Sequence, residues 1–172
     1  YNEVINKNIE CIVAVGGGVV NDLAKRLAFL LKIKLITVPT IISNDGMASP
    51  IAVVTIGNKK KSLPASLPKT IIACSDIIKD APKFYLDAAI LDILSNISAL
   101  NDWDLFDKDA HIDPSKSISK NLSNMAVKMI MNLNLKDIPL IELIDCALDV
   151  QLLSGMTMTI AGSSRPCSGS EH

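Results

Sequence analysis

The sequence predicts an α/β unit over residues 1–80 followed by an all-α unit over residues 81–172. Two observations carry this reading. Residues 11–38 run apolar strand, glycine loop, amphipathic helix, apolar strand, which is the order of a βαβ unit with parallel strands and a right-handed crossover. Beyond Asp80-Ala81-Pro82 strand-like runs stop and apolar residues recur at helical spacing. With 172 residues, 49% of them hydrophobic, and a mean hydropathy of +0.35, the chain has the apolar content for a sizeable core.

Each element has its own signal. Cys11-Ile-Val-Ala-Val15 is a short buried strand that Gly16-Gly17-Gly18 ends. From Val19, the residues Leu23, Leu27, Leu30 and Leu31, with Ala24 and Ala28 beside them, mark one helix face. Residues 34–38 form the next strand, stopped by Pro39. Residues 50–56 are a further strand, Gly57-Asn58 a turn, and Lys59-Lys60-Lys61 the solvated arm of a hairpin rather than an anion site. Pro64 and Pro68 mark a loop before a short strand at 70–73. Asp113-Pro114 supplies an N-cap and a first-turn proline for a helix whose stripe is Leu122, Met125, Ala126, Met129, Ile130 and Leu133. Core packing is the expected place for these methionines, against an adaptable groove. Pro139 opens another helix, with Leu140, Ile144, Ala147 and Leu148 on its apolar face.

Composition excludes several function classes. A net charge of −1 with both signs interspersed gives no basic surface for a polyanion, and 3% aromatic content offers no stacking platform, so nucleic acid is excluded as a partner. Cys11, Cys74, Cys146 and Cys167 are widely spaced without a CxxC pair, which fits reduced thiols better than a disulfide framework or zinc knuckle. Residues 1–15 lack the pattern of a signal peptide, and no uninterrupted apolar run reaches the ~18 residues of a membrane span. The cytoplasm is the expected compartment.

Chemistry concentrates at four places. Gly16-Gly17-Gly18-Val19-Val20-Asn21-Asp22 lies between a strand and a helix start, where glycines let a phosphate approach and free N–H groups face its charge. It is neither the spaced GxGxxG fingerprint nor a P-loop. The loop Pro39-Thr40-Ile41-Ile42-Ser43-Asn44-Asp45-Gly46-Met47-Ala48-Ser49 leaves the carboxyl end of the next strand, the ligand-binding edge of open α/β sheets. Thr40, Ser43 and Ser49 bring hydroxyls and Asp45 an acceptor for a polyol, although Asn44-Asp45-Gly46 is equally an Asx turn. Asp92 sits in the apolar helical run Ala88–Leu94, as a metal ligand or as a salt-bridged or capping carboxylate. The closing segment Ala161–His172, rich in small hydroxyl residues, neither packs a core nor forms a strand, so a fixed loop ending on His172 points to a site. His111, in the polar stretch 107–113, reads as a surface residue. Asp92 and His172 make two metal ligands where a catalytic centre takes three, so a third is expected beyond residue 172 and the chain reads as a fragment of a larger enzyme.

In this order the motifs resemble the sn-glycerol-1-phosphate dehydrogenases, within the superfamily of dehydroquinate synthase, glycerol dehydrogenase and iron-containing alcohol dehydrogenases. The matching segments are Gly16-Gly17-Gly18…Asp22…Lys25, Val38-Pro39-Thr40…Ser43…Asp45-Gly46…Ala48-Ser49, Asp92–Asn96 with Asp102-Trp103, and the run from Ser154-Gly155-Met156 to Ala161–His172. The resemblance implies a dehydroquinate synthase-like fold: part of a Rossmann-like nucleotide-binding α/β domain, then the first part of a helical metal-binding domain. It implies reduction of dihydroxyacetone phosphate to sn-glycerol 1-phosphate with NAD or NADP, in an assembly of identical copies. By position, Gly16, Gly17, Gly18, Val19, Val20, Asn21 and Asp22 would hold the cofactor pyrophosphate. Thr40, Ile41, Ile42, Ser43 and Ser49 would line the nicotinamide side, and Asp45 would contact substrate. Asp92 and His172 would be catalytic ligands of one divalent metal, zinc or in some bacterial members nickel, with Asp92 also touching substrate. The chemistry agrees: such a metal polarises the ketone carbonyl that receives the hydride.

The same resemblance implies strands before Tyr1 that grip the adenosine ribose, and phosphate-binding residues after His172. Large exposed apolar faces are expected in consequence. Where family members often have glycine before the metal aspartate, Ala89 and Leu91 stand here and are expected to narrow the space. Cys74 lies where Ala-Asp-Thr is more usual, without expected consequence.

Overall fold

The computed structural model describes residues 8–106 and 113–169. Strand β1 (Cys11–Gly16) leads into helix α1 (Gly18–Leu31), which returns to strand β2 (Lys34–Pro39), and β1 and β2 pair in parallel from Cys11↔Lys34 to Gly16↔Pro39. Strand β5 (Thr70–Ile71) adds to the far side of β2, giving the order β1-β2-β5. This β5 is shorter than the strand expected at 70–73: two residues pair with β2, and only the Ile72 N–H still reaches the Thr37 carbonyl, at 2.8 Å. Strands β3 (Ile51–Ile56) and β4 (Lys59–Pro64) form a separate antiparallel hairpin, and Lys59, Lys60 and Lys61 stand in solvent as expected.

Helix α2 (Ser75–Ile78) is a single turn, and helices α3 (Lys83–Phe106), α4 (Pro114–Met131) and α5 (Leu140–Ala161) complete the chain. Asp113 caps α4, its carboxylate accepting from Ser115 N–H at 2.9 Å, with Pro114 in the first turn. The main core joins Ile42, Met47, Ala48 and Ile78 to Ile90, Ile93, Ala126, Ile130, Ile144 and Val150, so it is built from both sides of residue 80. A smaller core of Ala14, Ala28 and Leu35 lies between α1 and the sheet. The opposite face of β1 is open, with Val13 and Val15 exposed, in keeping with the expected apolar surfaces. By length and composition α5 would pass as a membrane span; half of its most apolar window is buried, and Gln151, Ser154 and Thr157 lie on its inner face, the setting of a core helix.

Three expected faces are displaced, each for a physical reason. On α1 the inward residues are Asn21, Lys25 and Ala28, while Leu23 and Leu30 are exposed. Two features turn this helix: its alanines allow close approach to the sheet, and Lys25 has its acceptors on that side. On α4 the buried stripe is Ser119, Lys120, Ser123, Ala126, Val127 and Ile130; Met125 is exposed and Met129 only partly buried. The polar members all have partners: Ser119 donates to the Ser115 carbonyl one turn back at 2.9 Å, Ser123 donates to the Pro166 carbonyl at 2.9 Å, and Lys120 pairs with Asp104 beside Trp103. On α5, Leu140 is exposed, whereas Ile144, Ala147 and Leu148 are buried as expected.

Lys25 holds the α/β half together. Its side chain is wholly buried, and its ammonium donates to the Gly46 carbonyl at 2.6 Å, the Ile51 carbonyl at 2.5 Å and Ser49 Oγ at 3.3 Å, with Asp22 at 3.5 Å. Burial pushes Lys25 below its ordinary value and Asp22 above its own, each partly offset by the other's charge. Two carbonyls and a hydroxyl engage three N–H donors, which only the protonated amine possesses. Asp22 extends the tie by accepting from the Val53 N–H at 3.1 Å, so α1, the Asp45 loop and β3 are pinned at one point. Replacing Lys25 with Met should leave two buried carbonyls and a carboxylate without their cation. A loss of ~3 kcal/mol or more is expected, read as a lower urea midpoint at unchanged slope.

Candidate active site

The carboxyl ends of β1 and β2 lie side by side, so the glycine loop and the Thr40–Ser49 loop flank one sheet edge, joined by the Thr40 N–H to the Gly16 carbonyl at 3.1 Å. The three glycines have different reasons to be glycine. Gly16 has a φ of +153°, and a Cβ there would fall 2.9 Å from Val20. A Cβ on Gly17 would fall 2.6 Å from Ile41 Cδ1. On Gly18 it would meet nothing within 4 Å, so the folded chain itself does not require glycine there. Among the described residues no side chain caps α1, and the first N–H with an internal partner is that of Asn21, to the Gly17 carbonyl at 3.0 Å. Gly18, Val19 and Val20 therefore present the helix amino terminus outward, with Val19 and Val20 exposed.

The remainder of that run faces inward. Asn21 is buried and Asp22 is engaged with Lys25 and Val53. In the second loop Ile42 is 1% exposed within the main core, and Ser49 is buried with its hydroxyl between the Gly46 and Ile51 carbonyls. Of the positions expected to line the nicotinamide, Thr40, Ile41 and Ser43 lie near the surface, all half-buried. Apolar Ile42 fills the core behind the loop, and Ser49 shares the acceptors of Lys25.

The loop then turns through a single 3-10 turn, Asp45–Ala48. Asn44 Oδ1 accepts from the Gly46 N–H at 2.9 Å, so the Asx turn is present, and it leaves Asp45 directed at the helices. Asp45 meets Asp92: its backbone N–H donates to Asp92 Oδ2 at 3.1 Å. On its other side Ser154 donates to Asp45 Oδ2 at 2.7 Å. This approach depends on Gly155, where a Cβ would lie 2.7 Å from Ala48 Cβ and 2.8 Å from both the Ala48 carbonyl carbon and the Asp45 oxygen. Ala89 packs beneath Asp92 at 1% exposure and Leu91 points to solvent at 63%, so the narrowing expected from Leu91 does not occur.

The closing segment behaves differently from its composition. After Gly162 ends α5 in a left-handed conformation, Pro166 and Cys167 are buried. Cys167 Sγ lies 3.1 Å from Ser154 Oγ and 3.0 Å from Thr157 Oγ1, and burial together with the Asp45 charge pushes its thiol up to about 12. It is therefore a packed thiol, not a nucleophile. His172 and His111 lie outside the described residues, and among the described residues no group of three metal-ligating side chains occurs. Of the two expected ligands Asp92 is described: it is half-buried, and its Oδ2 accepts from the Asp45 backbone N–H.

Sequence reasoning missed the roles of Lys25, Ser154, Asn96 and Gly155. The available signal was spacing: Lys25 lies three residues after Asp22, and Asn96 lies one helical turn after Asp92.

Residues 2–82 match the family model of iron-containing alcohol dehydrogenase. Among solved structures, a probable glycerol dehydrogenase from Sinorhizobium meliloti superposes with a TM-score of 0.76 at 21% identity, over 97% of this chain and 48% of that one. An iron-containing alcohol dehydrogenase from Thermotoga maritima superposes with a TM-score of 0.72 at 18% identity, over 94% and 48%. The fold is that of the iron-containing alcohol dehydrogenases. In sequence the chain is 40% identical to glycerol-1-phosphate dehydrogenase [NAD(P)+] of Methanococcus aeolicus over 96% of its length, and 40% identical to that of Pyrococcus horikoshii over 99%. The resemblance read from the motifs thus holds over nearly the whole chain, which spans about half the length of these relatives.

Gly155 and Gly18 contrast a glycine that the fold requires with one that it does not. Gly155→Ala should lose about 1–3 kcal/mol, because backbone atoms of the Asp45 turn cannot move aside cheaply. Gly18→Ala should be neutral or stabilising by up to about 1 kcal/mol. Chemical denaturation of both variants checks the contrast.

Proposed function

We propose that this chain carries the cofactor-binding and part of the metal and substrate sites of a cytoplasmic NAD(P)-dependent oxidoreductase. It would reduce dihydroxyacetone phosphate to sn-glycerol 1-phosphate. The observation that carries this reading is the meeting of Asp92 with the Asp45 turn at the sheet edge that the open α1 amino terminus also borders. Residues 1–80 would serve mainly the cofactor, with Asp45 reaching the substrate, and 81–172 the metal and substrate.

In this reading Gly18, Val19 and Val20 bind the dinucleotide pyrophosphate through their N–H groups, with Gly18 lacking a side chain so that the phosphate can approach. Thr40, Ile41 and Ser43 border the nicotinamide. Asp45 accepts from a substrate hydroxyl. Asp92 and His172 hold one divalent cation, zinc or nickel, and a carboxylate with an imidazole suits either. The cation, when bound, polarises the ketone carbonyl, and the nicotinamide supplies the hydride to C2. A proton delivered to the ketone oxygen completes the alcohol. The protein's own part is alignment: the Lys25 and Ser154 ties fix the Asp45 turn relative to α1 and α3, so cofactor and substrate meet at one place.

The decisive measurement is cofactor oxidation by the complete gene product loaded with zinc or nickel. Turnover of dihydroxyacetone phosphate, with little or none of dihydroxyacetone, is expected. Preference for the free ketone would assign an unphosphorylated polyol instead, and no turnover with either would overturn the reading. Asp92→Asn should reduce metal affinity by at least about tenfold, since even loss of a ligand's supporting hydrogen bond costs 10–100-fold. Chromophoric chelator competition reads this without activity, and wild-type affinity would remove Asp92 from the ligand set.

A further inference from the structure

Behind Asp45 lies a buried polar chain that the proposed reaction does not by itself require. Ser154 of α5 is fully buried, and its hydroxyl lies 2.7 Å from Asp45 Oδ2 and 3.0 Å from Asn96 Nδ2 of α3. The direction of these bonds is dictated by their ends. An ionised carboxylate only accepts, so the single Ser154 proton goes to Asp45. The Ser154 oxygen then accepts from the Asn96 amide, which is 1% exposed. Thr157 spends its proton on the Ser154 carbonyl at 2.7 Å, leaving the Cys167 thiol as a donor with the Ser154 carbonyl at 3.3 Å and the Asp45 carboxylate both in reach.

We propose that Ser154, oriented by Asn96, is a positioning residue that sets the carboxylate of Asp45 for substrate. This rests on the reading of Asp45 as a substrate contact. The argument is one of cost. Three polar side chains from two helices and the turn after α5 are buried around one hydroxyl, where apolar residues of similar volume would pack without desolvation. What the hydroxyl accomplishes is to fix one oxygen of Asp45. The same turn's Asp45 N–H holds Asp92 Oδ2, so the two carboxylates keep a set separation. Gly155, next in sequence, brings the Ser154 backbone close enough for this to occur. A charge-assisted bond in such surroundings is short and directional, suited to orientation.

The test is a double-mutant cycle in the complete gene product, with KM, kcat and a calorimetric Kd for dihydroxyacetone phosphate, and melting temperature followed alongside. Ser154→Ala should raise KM and Kd about tenfold, the scale on which a supporting hydrogen bond to a binding group acts, with a smaller change in kcat. Ser154→Thr, which restores the hydroxyl, should recover most of the loss. In an Asp45→Asn background, Ser154→Ala should add little. If its effect is undiminished there, or if Ser154→Ala binds substrate like wild type, the positioning role is overturned. If Asp45→Asn itself leaves KM and Kd unchanged, the substrate role of Asp45 fails, and this proposal with it. Should Ser154→Ala not fold, Asn96→Leu removes the orienting donor while keeping the Ser154 hydroxyl and should raise KM in the same direction; an unchanged KM would overturn the proposal.

Discussion

The buried ammonium of Lys25 is the interaction on which the placement of the site depends. A parallel βαβ unit brings two loops to one sheet edge but leaves their separation unspecified, because loops carry few apolar contacts of their own. Lys25 supplies that separation. It is anchored on α1, and its acceptors are the carbonyls of Gly46 and Ile51, one on each side of Ser49. A cation this deep is tolerable only because every proton has an acceptor and Asp22 supplies counter-charge. The exposed flank of α1 follows from the same requirement: aiming Lys25 inward turns Leu23 and Leu30 out.

A second polar tie works on the opposite side of the same turn. Lys25 holds the Asp45 turn from the α/β side, and Ser154, Asn96 and Gly155 hold it from the helical side. The turn is a single 3-10 segment of four residues, too short to be rigid alone, and it is clamped between two buried networks. The main core crosses the same seam through Ile42, Met47 and Ala48, so the seam between the α/β and helical parts is packed as well as hydrogen-bonded. The clamped turn carries Asp45 and orients Asp92.

Elements defined by local periodicity or capping were legible from sequence. The βαβ order, the solvated Lys59–Lys61 hairpin and the Asp113-Pro114 helix start each rest on residues within one segment, and each is present. The faces of α1 and α4 were not, because apolar count is a guide to burial only when polar residues lack partners elsewhere. Lys25, Ser123 and Lys120 find theirs on β3, at Pro166 and at Asp104, contacts separated by 26, 43 and 16 residues. Burial of Pro166 and Cys167 was not read from composition for a related reason: proline and cysteine are small enough to enter a core when a neighbouring serine satisfies the buried carbonyl, as Ser123 does for Pro166. At the site, Asp45 and Asp92 were legible as carboxylates in unusual settings, whereas the serine and asparagine that orient Asp45 resemble ordinary helix residues until α3 and α5 are packed together.

The glycine triplet shows how such a site can be divided into structural and functional parts. Gly16 and Gly17 are required by the chain itself, one through its backbone conformation and one through Ile41. Gly18 has neither requirement, and a side chain there would project into open space beside uncapped N–H groups. In the proposed function, a residue with no internal reason to be small, next to donors with no acceptor among the described residues, is accounted for by a ligand that approaches from outside. The donors favour an anion, and the helix axis adds its partial positive charge at the same point. The opposite holds at Asn21 and Asp22, whose side chains are drawn inward. The boundary between open, uncapped backbone and side chains engaged in the fold therefore falls between Val20 and Asn21, within one turn of α1.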